Sequence, residues 1–240
     1  MLHEPELQNI ADEQDTAQAS KFAMFGERSS GLDYVEDLIT LNFPELRRTD
    51  EYGWRHGFVN PGYMRDSTVC VAVVRNALDW VCDFYAKPEQ VGGWCKDLSL
   101  SEFIRHEWSG SVRGRVLGKP NRKLGLSRHE ELMLERHPMT GARIRNIIEL
   151  RSLKLQSLLK LEQMTQNVVM MRYEDVRDAP EEMMQQLQSR LGLPECTDIM
   201  RIEEQRDDAA EPAPVSEDDI GFILSELNMP LEEAFGYSYA

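Results

Sequence analysis

Apolar positions along this chain follow two patterns, and their alternation predicts the fold class before any motif is considered. Thr68–Val74 (TVCVAVV) is a continuous β-branched run, the mark of a strand buried on both faces of a parallel sheet. Residues 21–25 and 167–171 are shorter runs of the same kind, and residues 54–58 are predicted as a short strand end. Between these runs the period changes to that of a helix. Leu32, Val35, Leu38, Ile39 and Phe43 recur at helical spacing, and residues 79–86 continue as a helix ended by Lys87 and Pro88. A short helix is expected over residues 101–108, capped by Ser99 or Ser101, and a long one over residues 142–164 with a broad apolar face. Residues 180–191 read as an amphipathic helix stopped by Gly192, and residues 220–227 as a closing helix. Strands alternating with helices predict an α/β fold, a three-layer sandwich around a central, mainly parallel sheet.

Composition narrows the class. At 240 residues the chain suits one medium domain, placed over residues 21–240 after a flexible acidic segment 1–20. It is 41% apolar and 29% charged, as a globular protein is, and its apolar runs are too short to span a bilayer. A net charge of −15 disfavours nucleic-acid or anionic-membrane binding, so an anionic ligand must find a local basic pocket. Arg105, Arg113, Arg115, Lys119, Arg122, Lys123 and Arg128 crowd one stretch and read either as a solvated loop or as an electrostatic funnel. Residues 203–219, acidic and rich in Pro and Ala, read as a surface loop. The N-terminus lacks the basic start and apolar centre of a secretory signal, which predicts a cytoplasmic location or a chain shown without its targeting segment. The four cysteines have no C-x-x-C spacing and are expected as buried free thiols, with no metal site.

The chemistry centres on residues 21–44, KFAMFGERSSGLDYVEDLITLNFP, which read as strand, glycine loop, helix. Such a loop aims backbone N–H groups and the positive end of a helix dipole at an anion. Gly26 and Gly31 have the G-x-x-x-x-G spacing of a nucleotide-binding loop, but Leu32 and Asp33 stand where a lysine and a Ser/Thr would follow, which argues against ATP or GTP. Arg75, directly after the Thr68–Val74 strand, is either a second anion ligand or a strand-end arginine paired with Asp79 or Glu174. His56 is either a general base or a surface or capping histidine beside Trp54 and Phe58.

Four segments in order, FGERSSGLDYVEDLI, VVRNALDWVCDFYAKPEQ, VVMMRYEDV and LEEAFGY, resemble sulfotransferases that use 3′-phosphoadenosine 5′-phosphosulfate (PAPS), particularly the branch whose loop reads G-E-R-x-S-G-T-N. The resemblance runs over roughly residues 21–237 and implies a P-loop-like sulfotransferase fold. It implies a phosphosulfate site at Arg28, Ser29, Ser30 and Gly31, and a 3′-phosphate site at Arg75 and the position of Asp83. It further implies that His56, in a segment similar to the branch's W-K-H-G, is the base for the attacking hydroxyl, with Arg55 and Arg28 stabilising the bridging oxygen. The expected function is sulfuryl transfer from PAPS to a hydroxyl or amine of a small-molecule or glycan acceptor. Leu32, Asp33 and Asp83 depart from the family pattern, which carries hydroxyl and polar or basic residues there. Those departures keep a second expectation open, a catalytically silent relative that serves as a binding or scaffold protein.

Overall fold

A computed structural model describes residues 19–60, 62–91, 93–110, 115–116, 119–120, 131–193, 198–202 and 215–239. Its centre is a four-stranded parallel sheet in the order β2-β1-β3-β6, built from β1 (Lys21–Gly26), β2 (Arg47–Arg48), β3 (Thr68–Val74) and β6 (Val168–Arg172). β4 (Arg115–Val116) and β5 (Lys119–Pro120) form a separate antiparallel pair. The predicted α/β class holds. β3 is buried at every position because it has a strand on each side and helices over both faces.

Alternation along β3 divides the core. Val69, Val71 and Val73 face one layer with Phe22 and Met24 of β1, against α1 (Leu32–Asn42), α7 (Tyr173–Asp178) and α8 (Pro180–Arg190). Cys70, Ala72 and Val74 face the other with Ala23 and Phe25, under Leu155 and Leu158 of α5 (Ile147–Leu159) and Leu161 of α6 (Leu161–Met164). A third apolar cluster joins α5 to α2 (Ala77–Tyr85), α4 (Leu100–Arg105) and α9 (Glu217–Glu226), around Trp80, Phe84, Phe103 and Trp108. A four-residue helix, α3 (Pro88–Val91), follows α2, and α10 (Met229–Ala234) is the last described element.

Several boundaries differ from the sequence reading, each for a local reason. The helix predicted over residues 142–164 starts only at Ile147, because Asn146 is its N-cap and accepts from Glu149 N, and it breaks at Lys160 into α5 and α6. Residues 54–58 form a turn rather than a strand end, tied to the sheet by Gly26 N–H donating to Arg55 O at 3.0 Å. α2 ends at Tyr85 as the Lys87-Pro88 pair suggested, but Pro88 then opens α3, since proline fits a helical first turn. Ser99 is the cap of α4, in a full capping box with Glu102. Asp219 and its two predecessors belong to the first turn of α9 beneath the Ser216 cap, not to a loop. Cys70, Cys82 and Cys95 are free thiols, and Cys196 lies outside the described residues. The stretch 1–18 and loop residues 203–214 also lie outside them.

Candidate functional site

The carboxyl ends of β1, β3 and β6 lie side by side, with Gly26 opposite Val73 and Val74 opposite Arg172. Open parallel sheets bind ligands at this edge. Gly26 is required there, since a Cβ would stand 2.5 Å from Val73 O and 2.9 Å from Ser30 Oγ. The chain then turns through Ser29 at φ 61° and Gly31 at φ 86°, and Gly31 is the N-cap of α1 without any side-chain cap. The 11-residue helix therefore begins with its first-turn N–H groups served by no capping side chain. Gly31 packs against Tyr173, whose Cδ2 would lie 2.0 Å from a Cβ at that position.

The predicted residues divide by where their side chains go. Ser30 Oγ is buried and donates to Glu27 O at 2.8 Å, bracing the loop from below. Arg28 also turns inward: its side chain is 9% exposed, it pairs with Glu135, and its guanidinium lies 5.1–5.8 Å from the ring centres of Trp54, Phe84 and Trp108. Arg75 stays at the strand end. Its Nη1 donates to Ser29 O at 3.2 Å and lies 3.2 Å from Asp83 Oδ2, while its guanidinium covers the ring of Tyr173 at 4.8 Å. Of the partners the sequence offered Arg75, Glu174 instead accepts from Asn76 N at 2.8 Å and from the Tyr237 hydroxyl at 2.7 Å. Asp83 also holds Lys87 at 3.1 Å.

His56 sits beneath Gly26. Its Nε2 accepts from Arg55 Nε at 3.2 Å, which leaves the ring proton on Nδ1, 3.3 Å from Gly26 O. Burial, then the nearby Arg55, Arg28 and Lys154 charges, hold its pKa well below the usual histidine range. The imidazole is therefore neutral at neutral pH. Arg55 is oriented by Glu36 at 2.8 Å and by Asp33, whose side chain is 84% exposed. Leu32 is 3% exposed and packs into the core beside β1. Of the three departures from the family pattern, Leu32 is thus withdrawn into the core, Asp33 is paired with Arg55, and Asp83 is paired with Arg75.

Sequence reasoning missed a layer of buried charges below the loop. Arg151 on α5 is fully buried and donates to Glu27 Oε2 at 2.6 Å, to both Glu232 oxygens at 2.7 and 2.8 Å, and to Arg75 O at 2.8 Å. One turn later Lys154 bonds His56 O, lies 3.6 Å from Glu135 Oε1 and covers Phe58 at 4.4 Å. Burial lowers the Lys154 pKa to about 8 against the pull of Glu135, and burial raises that of Glu27 to about 7 despite Arg151. The available signal was Arg151 and Lys154 on a helix whose other inward positions are mostly apolar. Their carboxylate partners are too distant in sequence to be read.

Of the predicted basic stretch, Arg105 is paired with Asp219 at 2.5 Å and covers Phe222 at 4.2 Å. Arg113, Arg122, Lys123 and Arg128 lie outside the described residues, and only the backbone is described at Arg115 and Lys119. Among the described residues, no cluster of three His, Cys, Asp or Glu side chains is placed to hold a metal ion, and no helix is long and apolar enough to cross a membrane.

No protein-family model matches the chain, and no curated protein matches it. Among solved structures, the sulfotransferase from Alicyclobacillus acidocaldarius aligns over 93% of this chain and 98% of its own, at 11% identity and a TM-score of 0.46.

Proposed function

We propose that the chain transfers a sulfuryl group from a nucleotide phosphosulfate donor, PAPS being the one the sequence resemblance implies, to a hydroxyl or amine of a small-molecule or glycan acceptor. The observation that carries the reading is the loop between β1 and α1. It joins two left-handed residues, an α1 terminus without a side-chain cap, and Arg75 bonded to the loop at Ser29 O. Backbone N–H groups there suit the oxygens of a phosphosulfate, whose charge rises on the bridging oxygen as the S–O bond breaks.

His56 is the base of this proposal. Its neutral form has a lone pair on Nε2, now shared with Arg55 Nε–H, and an acceptor hydroxyl takes that hydrogen-bonding place to give up its proton. Arg28 holds the loop floor through Glu135 and the aromatic ring cluster, and from there its charge bears on the bridging oxygen. A second reading, a silent relative that binds without turnover, is favoured by Asp83, whose carboxylate already occupies Arg75.

Thermal denaturation with 5′-phosphorylated adenine nucleotides tests the binding step. A rise in Tm that Arg75→Ala removes supports the reading; no shift with any of them at millimolar concentration overturns it.

A further inference from the structure

We propose that Asp83 reads the sugar of the donor as a free hydroxyl, so that this site takes a nucleoside 5′-phosphosulfate without a 3′-phosphate. The inference rests on the loop being the phosphosulfate cradle and names the class of nucleotide that the same site accepts. One nitrogen, Arg75 Nη1, bonds both Ser29 O and Asp83 Oδ2, each at 3.2 Å. Asp83 therefore stands one guanidinium away from the loop, and in this proposal the ribose of a nucleotide whose 5′-phosphate the loop holds lies beside it.

Charge decides what that position recognises. Arg75 and Lys87 are the cations facing Asp83, and its carboxylate lies within 3.2 Å of both. Asp79 is one helical turn earlier on α2, where Arg177, itself paired with Asp178, also acts on it, so the three cations Arg75, Lys87 and Arg177 are matched by the carboxylates of Asp83, Asp79 and Asp178 and the cluster carries no net positive charge. A phosphate entering it has to displace a carboxylate from its partners and then lie beside it. A ribose hydroxyl needs no such displacement, because it donates to a carboxylate oxygen while Arg75 keeps its other bonds. Dinucleotide sites use the same rule: an acidic side chain takes a ribose hydroxyl, and an arginine accommodates a phosphate at that place. Asp83, Arg75 and Lys87 are 27%, 19% and 23% exposed, open enough to meet a ligand from solvent.

The test is isothermal titration of the full chain and of Asp83→Ser with adenosine 5′-monophosphate and adenosine 3′,5′-bisphosphate. The expected result is wild-type affinity at least tenfold higher for the monophosphate, with Asp83→Ser tightening the bisphosphate at least tenfold. Equal or tighter wild-type binding of the bisphosphate overturns this inference and leaves the cradle intact. Binding of the bisphosphate by Asp83→Ser alone, with no nucleotide bound by the wild type, overturns it in favour of Asp83 as a simple block. Failure of both proteins to bind either nucleotide overturns the cradle as well.

Discussion

Arg151 and Glu27, 124 positions apart in sequence, meet with Nη1 2.6 Å from Oε2, and both side chains are almost wholly buried. Through the same guanidinium, Glu232 of α10 and the carbonyl of Arg75 are held to the floor of the loop. One side chain thus ties the ends of β1 and β3 to α5 and to the C-terminal helix. Burial works against the charge of Arg151, but Glu27 and Glu232 outweigh it and hold its pKa raised.

Removing that side chain leaves two carboxylates buried without their cation. Arg151→Ala is expected to destabilise the fold by about 3–5 kcal/mol, read by urea denaturation. The loss should also grow between pH 5 and pH 8. Glu27 has its pKa raised from 4.5 to about 7, so the stability of its protonated form is complete below 4.5 and is lost as pH rises through 7. Without Arg151 the carboxylate resists ionisation further. A loss independent of pH would contradict the assignment of Glu27 as the proton-sensitive partner.

Gly31 faces two separate constraints, a left-handed backbone and the ring of Tyr173. Gly31→Ala therefore combines a conformational cost of about 1–2 kcal/mol with a steric one. In a double-mutant cycle, Tyr173→Ala should relieve the steric part and leave the conformational part. Additivity of the two substitutions would show that the loop does not lean on the ring.

His56 tests the proposed chemistry and the acid limit of the fold together. His56→Gln is expected to lower turnover by about 10²–10⁴-fold while the nucleotide-induced rise in Tm persists. Unchanged turnover would exclude His56 as the base. Because the folded pKa lies well below the ordinary histidine value of 6.5, the stability linked to this ring is complete above 6.5 and is lost as pH falls through the depressed value. The wild-type Tm should therefore fall more steeply below pH 6.5 than that of His56→Gln.

Much of the fold was legible in local pattern. TVCVAVV is a doubly buried central strand, and the period of Leu32 to Ile39 is that of α1. Gly26 and Gly31 announced the loop, and both are positions where a Cβ meets an occupied atom. Helix ends were less legible, since caps such as Asn146 and Ser216 depend on one hydrogen bond rather than on a period. In the candidate site, Arg75 was legible at a strand end, whereas His56, read as part of one, lies in a turn beside Gly26, and the direction of neither side chain was legible. Arg28 and Ser30 sit in the predicted anion loop but turn beneath it, because the aromatic rings, Glu135 and the Glu27 carbonyl lie there.

By itself the sequence determined the alternation of strands and helices, because burial on a sheet face or helix stripe demands a period that neighbouring residues must supply. It also placed two turn glycines and a histidine near one sheet edge. Tertiary structure alone decided which charges share a partner. Arg151 joins Glu27 and Glu232, Lys154 joins Glu135, and Asp83 rather than Asp79 or Glu174 takes Arg75. Coulomb attraction acts through space and strengthens where water is excluded, so its pairings follow packed layers and leave no period along the chain.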